Sequence, residues 1–396
     1  MKKFYILFPL LYLFSCQNEV LDKNGIPVIE VAQALENKSK INLSTLVSSL
    51  EYVRLETNAN SLYRLPYVRD LIGDSLILFK TNKRISLFDR GTGGYIKDLG
   101  HVGDDPEGYK SNPRNLGINP FTNRVYASRN QEKLMGYSLK ENDEIDFVKL
   151  PTIVNETGNN FTGGFITAFA YLDSTHFIAF VANMSGNEKN RILIHDRLGK
   201  VQKSYPNHLT FEKDPGFIQV SMTHFQEFNG RVLFKEAYND TLFHISLEAM
   251  ESAFVMNFDK YGIPYQDQEA IRGREALQEF LRLSHVMESD SFLFFEIEFK
   301  NNSYSGLFEK TTGETRISDS KALDYGYVND IDGFVSFKPN FISRNGEIVS
   351  MVPAERIVDW FASHPDDIAS LPANIQALQD VQPEDNFVVM IGKLIN

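Results

Sequence analysis

The sequence predicts an all-β chain folded as one six-bladed β-propeller with a few inserted capping helices. Three observations carry this. A strand–gap–strand unit recurs six times, its starts spaced 49, 52, 55, 60 and 56 residues apart. Further short strands flank most copies, giving four per unit, the pattern of a propeller blade. The aromatics, 31 Phe and 17 Tyr against one Trp, favour pleated, half-buried surfaces.

The first strands of the unit are residues 76–79 (LILF), 125–127 (VYA), 177–180 (FIAF), 232–234 (VLF), 292–295 (FLFF) and 348–351 (IVSM). Partner strands follow at 85–89, 134–137, 192–196, 242–245 and 307–309. A preceding strand, as at 68–72, and a third, as at 95–99 and 254–258, complete the unit. Residues 50–55 (LEYVRL) form an early strand without a blade of its own, and 387–391 (FVVMI) a late one. Pairing them in one shared blade closes the ring and leaves no open sheet edge. Two stretches break the β pattern. Residues 265–287 have helical spacing and predict a helix inserted between blades. Residues 353–378 predict two shorter helices, at 354–361 after Pro353 and at 366–378, the second interrupted by Pro372.

The chain has 396 residues, of which 42% are hydrophobic and 23% charged, enough apolar material for a large core. A formal charge of −12 argues against phosphate-backbone binding, and one cysteine excludes a disulfide framework. That cysteine has a place in a leader. Lys2 and Lys3 precede an apolar run, and residues 13–16 (LFSC) have Leu at −3 and Ser at −1 to Cys16, similar to a lipobox. The expected organisation is a signal peptide over 1–15, a lipidated tether over 16–40 and the propeller over 41–396. Glu19 and Asp22 follow closely, a pattern similar to surface-export signals, and the expected location is the bacterial envelope, lipid-anchored in the outer membrane.

Four stretches carry a family resemblance: residues 50–57 (LEYVRLET), 100–109 (GHVGDDPEGY), 239–243 (NDTLF) and 329–333 (NDIDG) with 337–339 (FKP). Over residues 28–396 the chain resembles the six-bladed, NHL-like propeller lipoproteins of gut-type Gram-negative bacteria. This implies the fold and an envelope setting in which oligosaccharides, peptides or envelope proteins are met. The chain departs from that pattern at Asp104–Asp105, where the family more often has Gly-Pro.

The sequence holds no P-loop, zincin, nucleophile-elbow or dinucleotide-binding motif. The eight histidines are scattered. His195 and His244 occupy the aromatic position of the repeated strand, which is a packing position. Asp330-x-Asp332-Gly333 starts like a calcium loop, but the remaining ligands do not follow, so turn formation is the simpler reading. Neither a metal nor a cofactor is expected. The candidate ligand residues are His101, Asp104, Asp105, Glu107, Tyr109 and Arg114 in the loop between the first two blades, with Arg69 and Arg129, and Lys133 beside them, near blade entrances. Aromatic rings, carboxylates and a guanidinium close together suit a glycan or peptide at the channel mouth. Tyr109 and Arg114 are expected to contribute most, against a plainer reading in which Tyr109 packs between blades and Arg114 pairs with a nearby acid. The predicted function is a binding or interaction module. A glycan-active hydrolase or lyase using the same carboxylates is the alternative.

Overall fold

The structure, a computed structural model, describes residues 20–63, 67–81, 83–110, 117–130, 132–140, 143–153, 165–184, 186–212, 223–319 and 326–395. Six sheets, each built on antiparallel strands, form a six-bladed propeller. The four main strands of each of blades 1 to 5 are continuous in sequence. Their innermost strands are Tyr67–Ile72, Ile118–Asn119, Phe165–Tyr171, Thr223–Phe228 and Arg282–Glu288. Their second strands are Leu76–Lys80, Arg124–Asn130, His176–Ala182, Arg231–Glu236 and Phe292–Phe299, at the predicted places. Both faces of each sheet pack on a neighbouring blade. The second strands therefore read as continuous apolar runs rather than alternating ones. Ile77, Leu78 and Phe79 are all fully buried, as are Phe177, Ile178 and Ala179.

Short hairpins join first strands to second. At Asn229-Gly230, φ is +48° and +74°, the paired left-handed conformation of a two-residue turn matched to strand twist. Strand direction then assigns the two ends of the ring. One end, the turn face, carries these hairpins and those between third and fourth strands. The other, the loop face, carries the longer connections between blades.

Blade 6 is shared by the two ends of the chain. Phe341–Ile342, Glu347–Val352 and Val388–Leu394 supply three strands, and Val47–Arg54 pairs outside them with Tyr52 opposite Met390. An ion cluster pins this blade to blade 1. Arg90, buried in blade 1, reaches Glu51 at 2.6 Å and Glu347 at 2.7 Å.

Two expectations are corrected. The segment read as a tether through residue 40 is packed on the ring from Val28 on. Val28–Ile29 adds a fifth strand to blade 4, parallel to Met250–Met256. The helix Val31–Glu36 then buries Val31, Ala34 and Leu35 in an apolar cluster with residues of blades 4 and 5. The helix expected over 265–287 is only Gly273–Leu277, and Arg282–Glu288 is the inner strand of blade 5. A register slip between Leu283 and His285 breaks its alternation, so periodicity alone misassigns it.

The second insertion agrees with expectation. The helix Ala354–Ser363 is followed by shorter helical turns to Asp380. It buries Ala354 and Ile357 and sets Trp360 and Phe361 against Phe334, at ring distances of 4.8 and 5.4 Å. Among the described residues, no helix is long and apolar enough to cross a membrane.

Candidate functional site

The predicted ligand loop lies on the loop face between blades 1 and 2, and its backbone is tightly tied. Arg129, at the end of a blade 2 strand, donates to the carbonyls of Gly103, Gly108 and Asp104 at 2.9, 2.6 and 2.7 Å. One guanidinium thus shapes the loop, consistent with its rigid fork of donors. Gly108 runs so close to Gly103 that a Cβ would lie 2.7 Å from the Gly103 carbonyl oxygen. Tyr109 is fully buried. Its ring stands edge-on to Tyr137 at 5.7 Å, and its hydroxyl donates to the Lys83 carbonyl at 2.9 Å. Its position is that of a packing residue between blades.

The charged residues of the loop face outward. His101 Nε2 pairs with Asp105 Oδ2 at 2.7 Å, and both side chains are about half exposed (56% and 46%). Hydrogen bonding from His101 lowers the Asp105 pKa. Lys110 pairs with Asp104, and Glu107 is exposed. Beside the loop runs a shallow groove of about 310 Å³, lined by Lys97, Gly100, Tyr137, Lys140, Asp143 and Ile145 among others. The described part of the loop therefore brings together His101, Asp104, Asp105 and Glu107. Arg114 and Cys16 lie outside the described residues, and Arg69 is placed only by its backbone, in the inner strand of blade 1. Lys133 lies over the Phe147 ring at 5.6 Å.

The other singled-out residues have structural partners. Asp330 accepts from the Ser44 backbone N–H and hydroxyl at 2.8 and 2.6 Å. Asp332 accepts from the Tyr52 hydroxyl at 2.8 Å and from Asn329 at 2.6 Å. His195 is fully buried and stacks on Phe177. His244 bonds the buried Glu288 at 2.6 Å. His224 and His285 meet edge-on at 5.8 Å on adjacent inner strands. No group of three or more metal-ligating side chains occurs among the described residues.

Sequence reasoning missed a charged cluster at the turn-face end of the channel. Arg344 sits in the first hairpin of blade 6. Its guanidinium donates to Glu227 of blade 4 at 2.7 Å and to the Ile118 carbonyl of blade 2 at 2.7 Å, and lies 3.5 Å from Asp70 of blade 1. A side chain can reach three other inner strands only by crossing the centre of the ring. Asp70 also accepts from the Ile118 N–H at 3.1 Å. Burial pushes its carboxyl up to about 7, with Arg344 opposing, and burial raises Glu227 as well. Tyr171 of blade 3 lies alongside and donates to the Gly117 carbonyl at 3.1 Å. The one available signal was acids at Asp70 and Glu227, within short strands whose counterparts are mostly apolar. Their common partner, 274 and 117 residues away, left no local trace.

Residues 26–393 match the family described as "Domain of unknown function (DUF4934)". A solved Bacteroides fragilis NCTC 9343 protein, provisionally described as exported, superposes with a TM-score of 0.66 at 15% identity, covering 91% of this chain and 98% of its own. A member of the DUF4221 family from Bacteroides vulgatus ATCC 8482 gives a TM-score of 0.50 at 14% identity, with 89% and 98% covered. At such identities the likeness is one of fold. No curated protein matches the chain.

Proposed function

The chain belongs to the DUF4934 family, and on that premise we propose that it is an exported, envelope-anchored binding module, held by lipid on Cys16, with its ligand taken at the loop face near the channel mouth. The observation that supports this reading is the unlikeness of the two ends of the ring. The turn-face end is crossed by Arg344 and its carboxylates, and the loop face carries the longer connections. Rigid scaffolds present such loops to ligands. The leader over residues 1–16 and the exported description of the Bacteroides fragilis relative support the location.

The outward His101, Asp104, Asp105 and Glu107, with Arg114 following in the same loop, supply acceptors, donors and charge suited to a glycan or a peptide. Buried Tyr109 acts by positioning the loop. The test is a glycan array and a peptide pull-down with the soluble form lacking residues 1–15 and carrying Cys16→Ser. A saturable ligand whose affinity falls at least about tenfold, about 1.4 kcal/mol, in His101→Ala, Glu107→Ala or Arg114→Ala supports the loop as the site. A ligand indifferent to all three places the site elsewhere. Cys16→Ser in the full chain should abolish metabolic lipid labelling, and persistent labelling overturns the anchor.

A further inference from the structure

The segment ahead of the fifth strand of blade 4 fixes where the anchor leaves the ring. Residues 20–28 form a small hairpin on the outer edge of that blade. Leu21 bridges Pro27, and the Val28 N–H donates to the Val20 carbonyl at 2.8 Å. Asp22 Oδ1 ties the turn by accepting from the Asn24 and Ile26 N–H groups at 2.8 and 2.9 Å. Val28–Ile29 then runs alongside Met250–Met256. Val20 is thus attached to the rim of blade 4, and only residues 17–19 separate it from Cys16. Four Cα-to-Cα steps span at most about 14 Å when fully extended.

We infer that this leash holds the rim of blade 4 against the lipid surface and turns blade 1, on the opposite side of the ring, away from it. The inference rests on lipidation of Cys16, the reading proposed above. Two observations favour an edge-on posture over a face laid flat. Val20 and Leu21, at the base of the leash, are 46% and 50% exposed, and apolar side chains are accommodated in the membrane interface. Removal of residues 1–15 takes away Lys2 and Lys3 and no acid, leaving 38 basic against 52 acidic residues. A chain so negative is repelled by an anionic leaflet, and contact through the narrow rim limits that repulsion. The loop between blades 1 and 2 then lies on the membrane-distal side.

The chain's only cysteine is taken by the lipid, so an introduced one is a unique labelling site. Fluorophores are placed by Glu251→Cys, exposed on the fourth strand of blade 4 away from the two residues that Val28–Ile29 covers, and Ile96→Cys, exposed on the outer strand of blade 1. The lipidated full-length proteins are reconstituted into phosphatidylcholine–phosphatidylglycerol vesicles containing a headgroup-quencher lipid. Quenching is expected to be several-fold stronger at 251 than at 96. Inserting twenty Gly-Ser residues between 19 and 20 should collapse that difference. Equal quenching in the parent protein overturns the posture, and a difference that survives the long leash overturns the leash as its cause. Flotation separates the two readings. A protein that does not float with the vesicles fails at the anchor, and with it the posture falls. One that floats and shows equal quenching fails at the posture alone.

Discussion

The two ends of the ring use charge in opposite ways. On the loop face His101 pairs with Asp105 and Lys110 with Asp104, partners four and six residues apart in one exposed segment. At the turn-face end Arg344 gathers Asp70, Glu227 and the Ile118 carbonyl from three other blades, with Asp70 only 5% exposed in its side chain. Exposed local pairs do little for stability, because water screens them and holding two long side chains costs entropy. Buried charges that share one partner depend on it, because its removal leaves them desolvated and unpaired. The first kind of charge is available to a ligand, and the second is committed to the fold.

The sharpest way to break this contrast is to remove the shared partner. Arg344→Ala should cost about 3 kcal/mol of unfolding free energy, read as a lowered urea midpoint. Adding Asp70→Asn and Glu227→Gln should recover part of the loss, because the three residues act as a unit. A single-variant loss below about 1 kcal/mol would show the cluster to be solvated and the contrast false.

A second test uses protons. The folded-state pKa of Asp70 is raised from 3.8 to about 7, chiefly by burial. Between those values the folded chain holds a proton that the unfolded chain has released. Its contribution to stability is therefore complete below about pH 4 and is lost as pH rises through 7. Melting temperatures measured from pH 5 to 8 should fall for this group in the parent protein, and the slope should flatten in Asp70→Asn. An identical slope in the two proteins would place the titration elsewhere.

Smaller effects belong to the loop face. Tyr109→Phe deletes one buried hydroxyl bond to the Lys83 carbonyl and should cost about 1 kcal/mol, measured by denaturant titration. No loss at all would mean that the hydroxyl bond adds nothing to folding. His101→Ala and Asp105→Asn should leave the melting temperature unchanged. A drop of several degrees in either would show the outward pair to be structural and remove it from the candidate ligand set.

The blades were legible because each second strand buries both faces, so runs such as 76–79 and 177–180 stand out without any partner being known. The shared sixth blade was legible too, since an unclaimed strand at each end of the chain implies that the two pair, and in the structure Tyr52 stands opposite Met390. The inner strand of blade 5 was not, because a bulge erased its alternation. The packing of Val28–Ile29 was hidden as well, since two residues carry no period. At the candidate site the sequence drew its residues from one inter-blade loop but could not tell which side chains turn inward. That Tyr109 is buried and that Arg129 spends its donors on loop carbonyls follow from neighbouring blades. Arg344 lay furthest from reach, because its meaning depends on three strands that only the closed ring brings together.

Closure through a shared blade has a consequence for biogenesis. Val47–Arg54 is made early, yet its ladder partner Val388–Leu394 follows every other described strand in chain order. Until that last strand is available, the nascent molecule is an open crescent with Glu347–Val352 bare at one end and no partner for the early strand at the other. Such edges template association with other chains. Those edges stay open for as long as residues 388–394 are missing, and a chain truncated before residue 388 would keep them permanently.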